Sequence, residues 1–71
     1  MEEKKIVTIN SKEFTIKRPK VKDIKAVSYI DNDMERTVQL IANLSGVPVE
    51  ELDEMYFQDY SKLQEALNDF L

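Results

Sequence analysis

The last third of the chain, Val47–Leu71, most constrains the fold. Tyr56, Tyr60, Leu63, Leu67 and Phe70 recur at spacings of four, three, four and three. On an α-helix these positions form one continuous apolar stripe. A stripe so rich in aromatics has to be covered, either by the chain's own core or by a partner, and deciding which is the functional question. Pro48 suits a first helical position, where its missing N–H is unneeded. Glu50 and Glu51 follow at the favourable end of the helix dipole. Asp59 and Ser61 are candidate caps, and Ser61-x-x-Gln64 fits a capping box. The stretch is therefore expected to divide into a short helix over 48–55 and a longer one over about 58–70.

The chain has 71 residues, which makes one domain spanning 1–71 the natural expectation. It has no cysteine and no histidine. Disulfides, thiolate ligands, a histidine base and an imidazole-bound zinc are thus excluded. No apolar run reaches the length of a membrane span, and MEEKK lacks the apolar core of a signal peptide. The expectation is a soluble, intracellular protein that does not engage a membrane.

Upstream, residues 4–18 read as a β-hairpin. KKIVTIN and EFTIKR are β-branched and alternating, and they flank Ser11-Lys12. With those two residues as the loop, Ile9 would face Phe14 and Val7 would face Ile16, placing all four on one face. A lone hairpin is unstable in water, so helices must cover that face. Pro19 ends the second strand. Val21, Ile24, Val27 and Ile30 then recur every third residue, which predicts a helix of about three turns with Asp23 in its first turn. Asn32 with Glu35 three residues on resembles a capping box. The helix it opens carries Met34, Val38, Ile41 and Leu44 on one face, with Leu40 widening it. Gly46 ends that helix as a residue free to turn left-handed. The expected fold class is α+β: an N-terminal two-stranded β-hairpin (4–18), then three to four short α-helices (20–71) packed on one of its faces.

Chemistry is hard to build from these residues. Asp31, Asp33 and Glu35 begin like a calcium loop, but Arg36 and Ala42 stand where Gly and Glu belong. Carboxylate pairs such as Asp53 with Glu54, or Asp59 with Asp69, have nothing around them to raise a pKa. Gly46 is the only glycine, so no phosphate loop exists. No catalytic residue, no metal ligand and no cofactor is assigned, and the reading is not an enzyme.

Charge is unevenly spread. Residues 1–25 hold eight Lys/Arg against four Asp/Glu, whereas residues 26–71 hold two against ten. The positive run is Lys17, Arg18, Lys20, Lys22 and Lys25. It reads either as a phosphate-contacting patch or as a solvated surface. The acidic remainder would repel a polyanion, no aromatics alternate with these lysines, and the later helices are too acidic to enter a DNA groove. Nucleic acid is not expected as a partner.

Several short motifs resemble the small tail assembly chaperones of contractile-tailed phages. They are Val49-Glu50-Glu51-Leu52-Asp53-Glu54-Met55, then Asp59-Tyr60-Ser61-Lys62-Leu63-Gln64, then Phe70-Leu71. Leu52-Asp53-x-Met55-x-x-x-Asp59-Tyr60 fits that family's acidic-helix segment, with Met for Leu at one place. A Val-x-Asp-Ile helix start at Val21–Ile24 also fits. The hairpin turn departs from the pattern by lacking the usual Gly. The resemblance covers nearly the whole chain. It implies a non-catalytic protein that coats the tape-measure protein, with the tail-tube protein as a second partner, before the tube polymerises. It also implies residence in the host bacterial cytoplasm, absence from the mature virion, and in many members a longer frameshifted form.

On this reading Tyr56, Phe57, Tyr60, Leu63, Leu67 and Phe70 include both core and client-facing positions, with Phe57, off the main stripe, as the exposed anchor. A helix-in-groove mode with weak repeated sites would suit a transient client. Two alternatives stay open: a small nucleic-acid-associated or regulatory protein using the basic run, and a dimeric adaptor pairing its last helices. A homo-oligomer is compatible with either.

Overall fold

A computed structural model describes residues 3–71. The order is β1 (Lys4–Ile9), β2 (Lys12–Lys17), α1 (Val21–Val27), α2 (Asp33–Ser45), α3 (Val49–Asp53) and α4 (Phe57–Asn68). The architecture is α+β, an antiparallel hairpin followed by four helices.

The hairpin turns one residue earlier than expected. Asn10 and Ser11, not Ser11 and Lys12, form the loop, both with positive φ (50° and 68°). Two consecutive left-handed residues match the twist of the flanking strands, and Asn tolerates that conformation better than most. Val7 consequently pairs with Phe14, and Lys5 with Ile16. The pairing moved by two positions in total, so the faces are preserved. Ile9, Phe14 and Ile16 are buried and Val7 is half-buried on the inner face. Lys5 and Lys12 close the two ends of that stripe. Lys5 Nζ lies 2.7 Å from Asp69 of the C-terminal turn, and Lys12 Nζ lies 3.0 Å from Glu51 of α3. Both pairs are solvent-exposed, so they orient the helices more than they stabilise them.

α1 is two turns long rather than three. Asp23 Oδ2 accepts from the Lys20 backbone N–H at 2.8 Å and fixes its start. A three-residue repeat rotates about 60° per step on a helix, so Val21, Ile24, Val27 and Ile30 would fan across about 180°. They cannot share a face. Val27 is buried, Ile30 is half-buried beyond the helix end, and Val21 and Ile24 are exposed.

α2 begins as predicted, with Asn32 Oδ1 accepting from the Glu35 N–H at 2.9 Å. It ends at Gly46, whose φ is 76° and whose N–H donates to the Ala42 carbonyl at 2.8 Å. Val38, Leu40, Ile41, Ala42 and Leu44 are all buried. They span about 200° of helix circumference, because α2 packs against β2, α1, α3 and α4. Met34 belongs to the predicted face but stands in the first turn, half out of the core.

Ser45 makes the turn to α3: its Oγ donates to the Ile41 carbonyl and accepts from the Val47 N–H. Pro48 stands one position earlier than expected, as the N-cap of α3. The break before α4 falls at Tyr56, whose extended backbone (φ −64°, ψ 144°) caps the helix without a side-chain bond. The predicted cap at Ser61 is absent, since Ser61 Oγ instead donates to the Phe57 carbonyl within the helix.

Two substitutions test this account. Ser11→Gly relieves a side chain from the left-handed region and should raise stability by about 0.5–1 kcal/mol in urea unfolding. Leu63→Ala, at a fully buried position of α4, should cost about 2–5 kcal/mol in the same assay.

Candidate docking surface

The stripe on the last helix divides between core and surface. Tyr60, Leu63 and Leu67 are buried, together with Ala66, and join Ile16, Ile41 and Leu52 in one apolar cluster. They are the core positions of the six-residue set, whose other members, Tyr56, Phe57 and Phe70, keep exposed surface. Phe70 is half-buried, with Lys5 Nζ 5.7 Å from its ring centre. Tyr56 leaves the stripe because its backbone is extended, so its ring no longer follows the helical spacing; it is 82% exposed. Phe57, at the first helical position and about 100° off the stripe, is 64% exposed.

Phe57 makes one aromatic contact. Its ring centre lies 6.2 Å from that of Tyr60, tilted by 39°. This aromatic contact joins an exposed ring to a buried one. Tyr56 also borders an open groove of about 340 Å³ between the hairpin turn and α3, where Phe14, Met55, Glu51, Glu54 and Asp59 face it. Asn10 Nδ2 reaches Asp59 Oδ2 across this groove at 3.4 Å. Tyr56 and Phe57 thus present two consecutive exposed rings, an aromatic shelf, and the groove beside Tyr56 is edged by Glu51, Glu54 and Asp59 together with Lys12.

The Tyr60 hydroxyl is buried without a hydrogen-bond partner among the described residues. Burial pushes its pKa up from 10.0, because the phenolate would lose its hydration. Three members of the basic run gather elsewhere, while Lys22 and Lys25 lie on α1. Lys17, Arg18 and Lys20 meet Lys4 and Glu3 around a shallow groove at the open end of the hairpin, with no aromatic ring lining it. Among the described residues no group of three carboxylates is placed to hold a metal ion, and no helix is long and apolar enough to cross a membrane.

Further apolar side chains are exposed: Val21, Ile24 and Met34, which the helical periodicities include, and Ile6 and Tyr29, which they do not. The three-residue repeat of α1 carried the signal for two of them, since its members diverge around a helix.

The family comparison gives this chain its place. It matches the family described as "Phage tail assembly chaperone proteins, E, or 41 or 14" over residues 5–71, and the chain belongs to that family. No curated protein and no solved structure matches it significantly.

Tyr60→Phe removes an unpartnered buried hydroxyl and should leave stability at neutral pH unchanged or raise it by about 1 kcal/mol. Because the folded pKa of Tyr60 is raised, its protonated form contributes stability that is present below pH 10.0 and is lost as pH rises through the folded value. The variant should therefore resist alkaline unfolding better than the parent, as read by far-UV circular dichroism. A variant less stable than the parent at pH 7 would mean that the hydroxyl has a partner.

Proposed function

We propose that this chain binds the tape-measure protein transiently during phage tail assembly, acting as one non-catalytic domain. Its place of action is the host bacterial cytoplasm, and it is not retained in the mature virion. The observation that carries the reading is the exposed pair Tyr56 and Phe57 at the start of α4. Exposed aromatics beside a groove with Ile9, Phe14 and Met55 in its lining are what an amphipathic client helix needs as anchors. Membership of the tail assembly chaperones supplies the context. One shelf per chain gives a modest contact, which repetition along a long client would strengthen while each contact stays reversible. The tail-tube protein is the second partner on this reading, engaged as the chaperone is displaced.

Co-expression of the chain with the tape-measure protein of the same tail, followed by affinity capture, tests the reading. The pair should co-purify, and Tyr56→Asp with Phe57→Asp should reduce recovery at least about tenfold. Phe57→Ala alone should cost less than about 1 kcal/mol of stability, as an exposed substitution does, which separates loss of binding from loss of fold. Undiminished capture by the double variant would remove the shelf from the contact. Capture of nucleic acid instead, weakening steeply with salt, would move the function to the basic groove.

A further inference from the structure

α3 is a wall between two grooves. Glu51, with Glu54 and Met55 just after the helix, faces the hairpin turn. Val49 and Asp53 face the other way, toward α2. On that far side lies a second open groove of about 360 Å³. The buried Val38 and the half-buried Ile30 and Val49 form its floor, and Met34, 50% exposed, stands at its edge.

Both ionisable groups lining this groove are carboxylates, Glu35 and Asp53. Among the described residues neither has an ion-pair partner. The cation nearest in sequence, Arg36, is already engaged: Nη1 donates to the Ile30 carbonyl at 2.8 Å, and Nη2 pairs with Asp33. The groove thus combines an apolar floor with an uncompensated negative rim.

We propose that this second groove docks an amphipathic helix of a partner protein, one that carries leucine- or methionine-sized residues along one face and lysine or arginine on either side of that face. The apolar stripe covers Val38, Val49 and Met34, and the flanking cations meet Glu35 and Asp53. A helix with an uncharged flank would desolvate two carboxylates without compensation, and one flanked by acids would be repelled. The chemistry exists in small on α1 of this same chain, where Val21 (73% exposed) and Ile24 (41% exposed) stand among Lys20, Lys22 and Lys25. That helix has seven residues, or about 10 Å of length, and it offers only two anchors, so a longer partner helix fits the groove better than a second copy does. The assignment does not depend on the aromatic shelf, since Tyr56 lies on the opposite flank of α3.

The probe is a designed helical peptide of about 18 residues, five turns, with leucine along one face and lysine on both flanks. A twin carries glutamate in place of each lysine. With the full chain labelled at its methionine methyls, the lysine peptide should shift the Met34 resonance and leave that of Met55, in the other groove, in place. By fluorescence anisotropy the lysine peptide should bind at least about tenfold more tightly than its twin, and binding should weaken as salt rises. Glu35→Lys with Asp53→Lys should reverse the preference. Glu13→Lys with Glu65→Lys, the same charge change on exposed positions elsewhere, should leave it standing, and Tyr56→Ala with Phe57→Ala should leave peptide affinity intact. Equal binding of the twins, a shift at Met55 rather than Met34, or reversal by the Glu13/Glu65 pair would overturn the proposal. So would concentration-dependent self-association abolished by Lys22→Glu with Lys25→Glu, which would give the groove to α1 of a second copy.

Discussion

α2 is buried on more than half of its circumference, and the rest of the fold is arranged around that fact. Val38, Leu40, Ile41, Ala42 and Leu44 are all inside, and no single neighbour can cover so wide an arc. The hairpin supplies one wall through β2, and α1, α3 and α4 supply the others. A chain of 71 residues can bury only a modest fraction of its surface. It therefore gains most by surrounding one helix over more than half of its circumference and leaving the outer elements partly bare. The outer face of the hairpin, most of α1 and the first residue of α4 are the exposed remainder.

That economy explains where apolar surface is left over. Tyr56 and Phe57 stand at the α3–α4 corner, where the chain must extend before it can re-enter a helix. Met34 stands in the first turn of α2, one turn before the arc that the core fills. Both lie at element ends, and the two grooves on either side of α3 open beside them. For a tail assembly chaperone such surfaces combine two requirements, since a small core stays intact while its edges remain available for contact.

Charge follows a similar division. Lys5 and Lys12 end the hairpin's inner stripe and reach across to Asp69 and Glu51, so the contact between the basic first third and the acidic remainder is partly made within the molecule. The remaining carboxylates of α3 and the start of α2 have no such counterpart among the ion pairs of the described residues, apart from Asp33 with Arg36.

Much of the fold was legible in the sequence because its causes are local. Asn32 and Gly46 bracket α2 through backbone chemistry that needs no neighbours. The inner face of the hairpin is the same for either loop because moving a two-residue loop by one position shifts the pairing by two, which preserves strand parity. The spacing of Tyr60, Leu63 and Leu67 fixes one helical face whatever that face meets. The family resemblance rested on the order of these same elements. The turn itself was less legible, since Asn-Ser adopts the left-handed pair only when the flanking strands impose their twist. Tyr56 fits the stripe by spacing and lies outside it by conformation, and only the corner between α3 and α4 decides that. Likewise Val21 and Ile24 are as apolar as Val27; they are exposed because α1 meets α2 along one narrow line. Local periodicity determined what each segment is, whereas which apolar residues remain at the surface depended on how many neighbours each helix finds, and that exists only in the assembled fold.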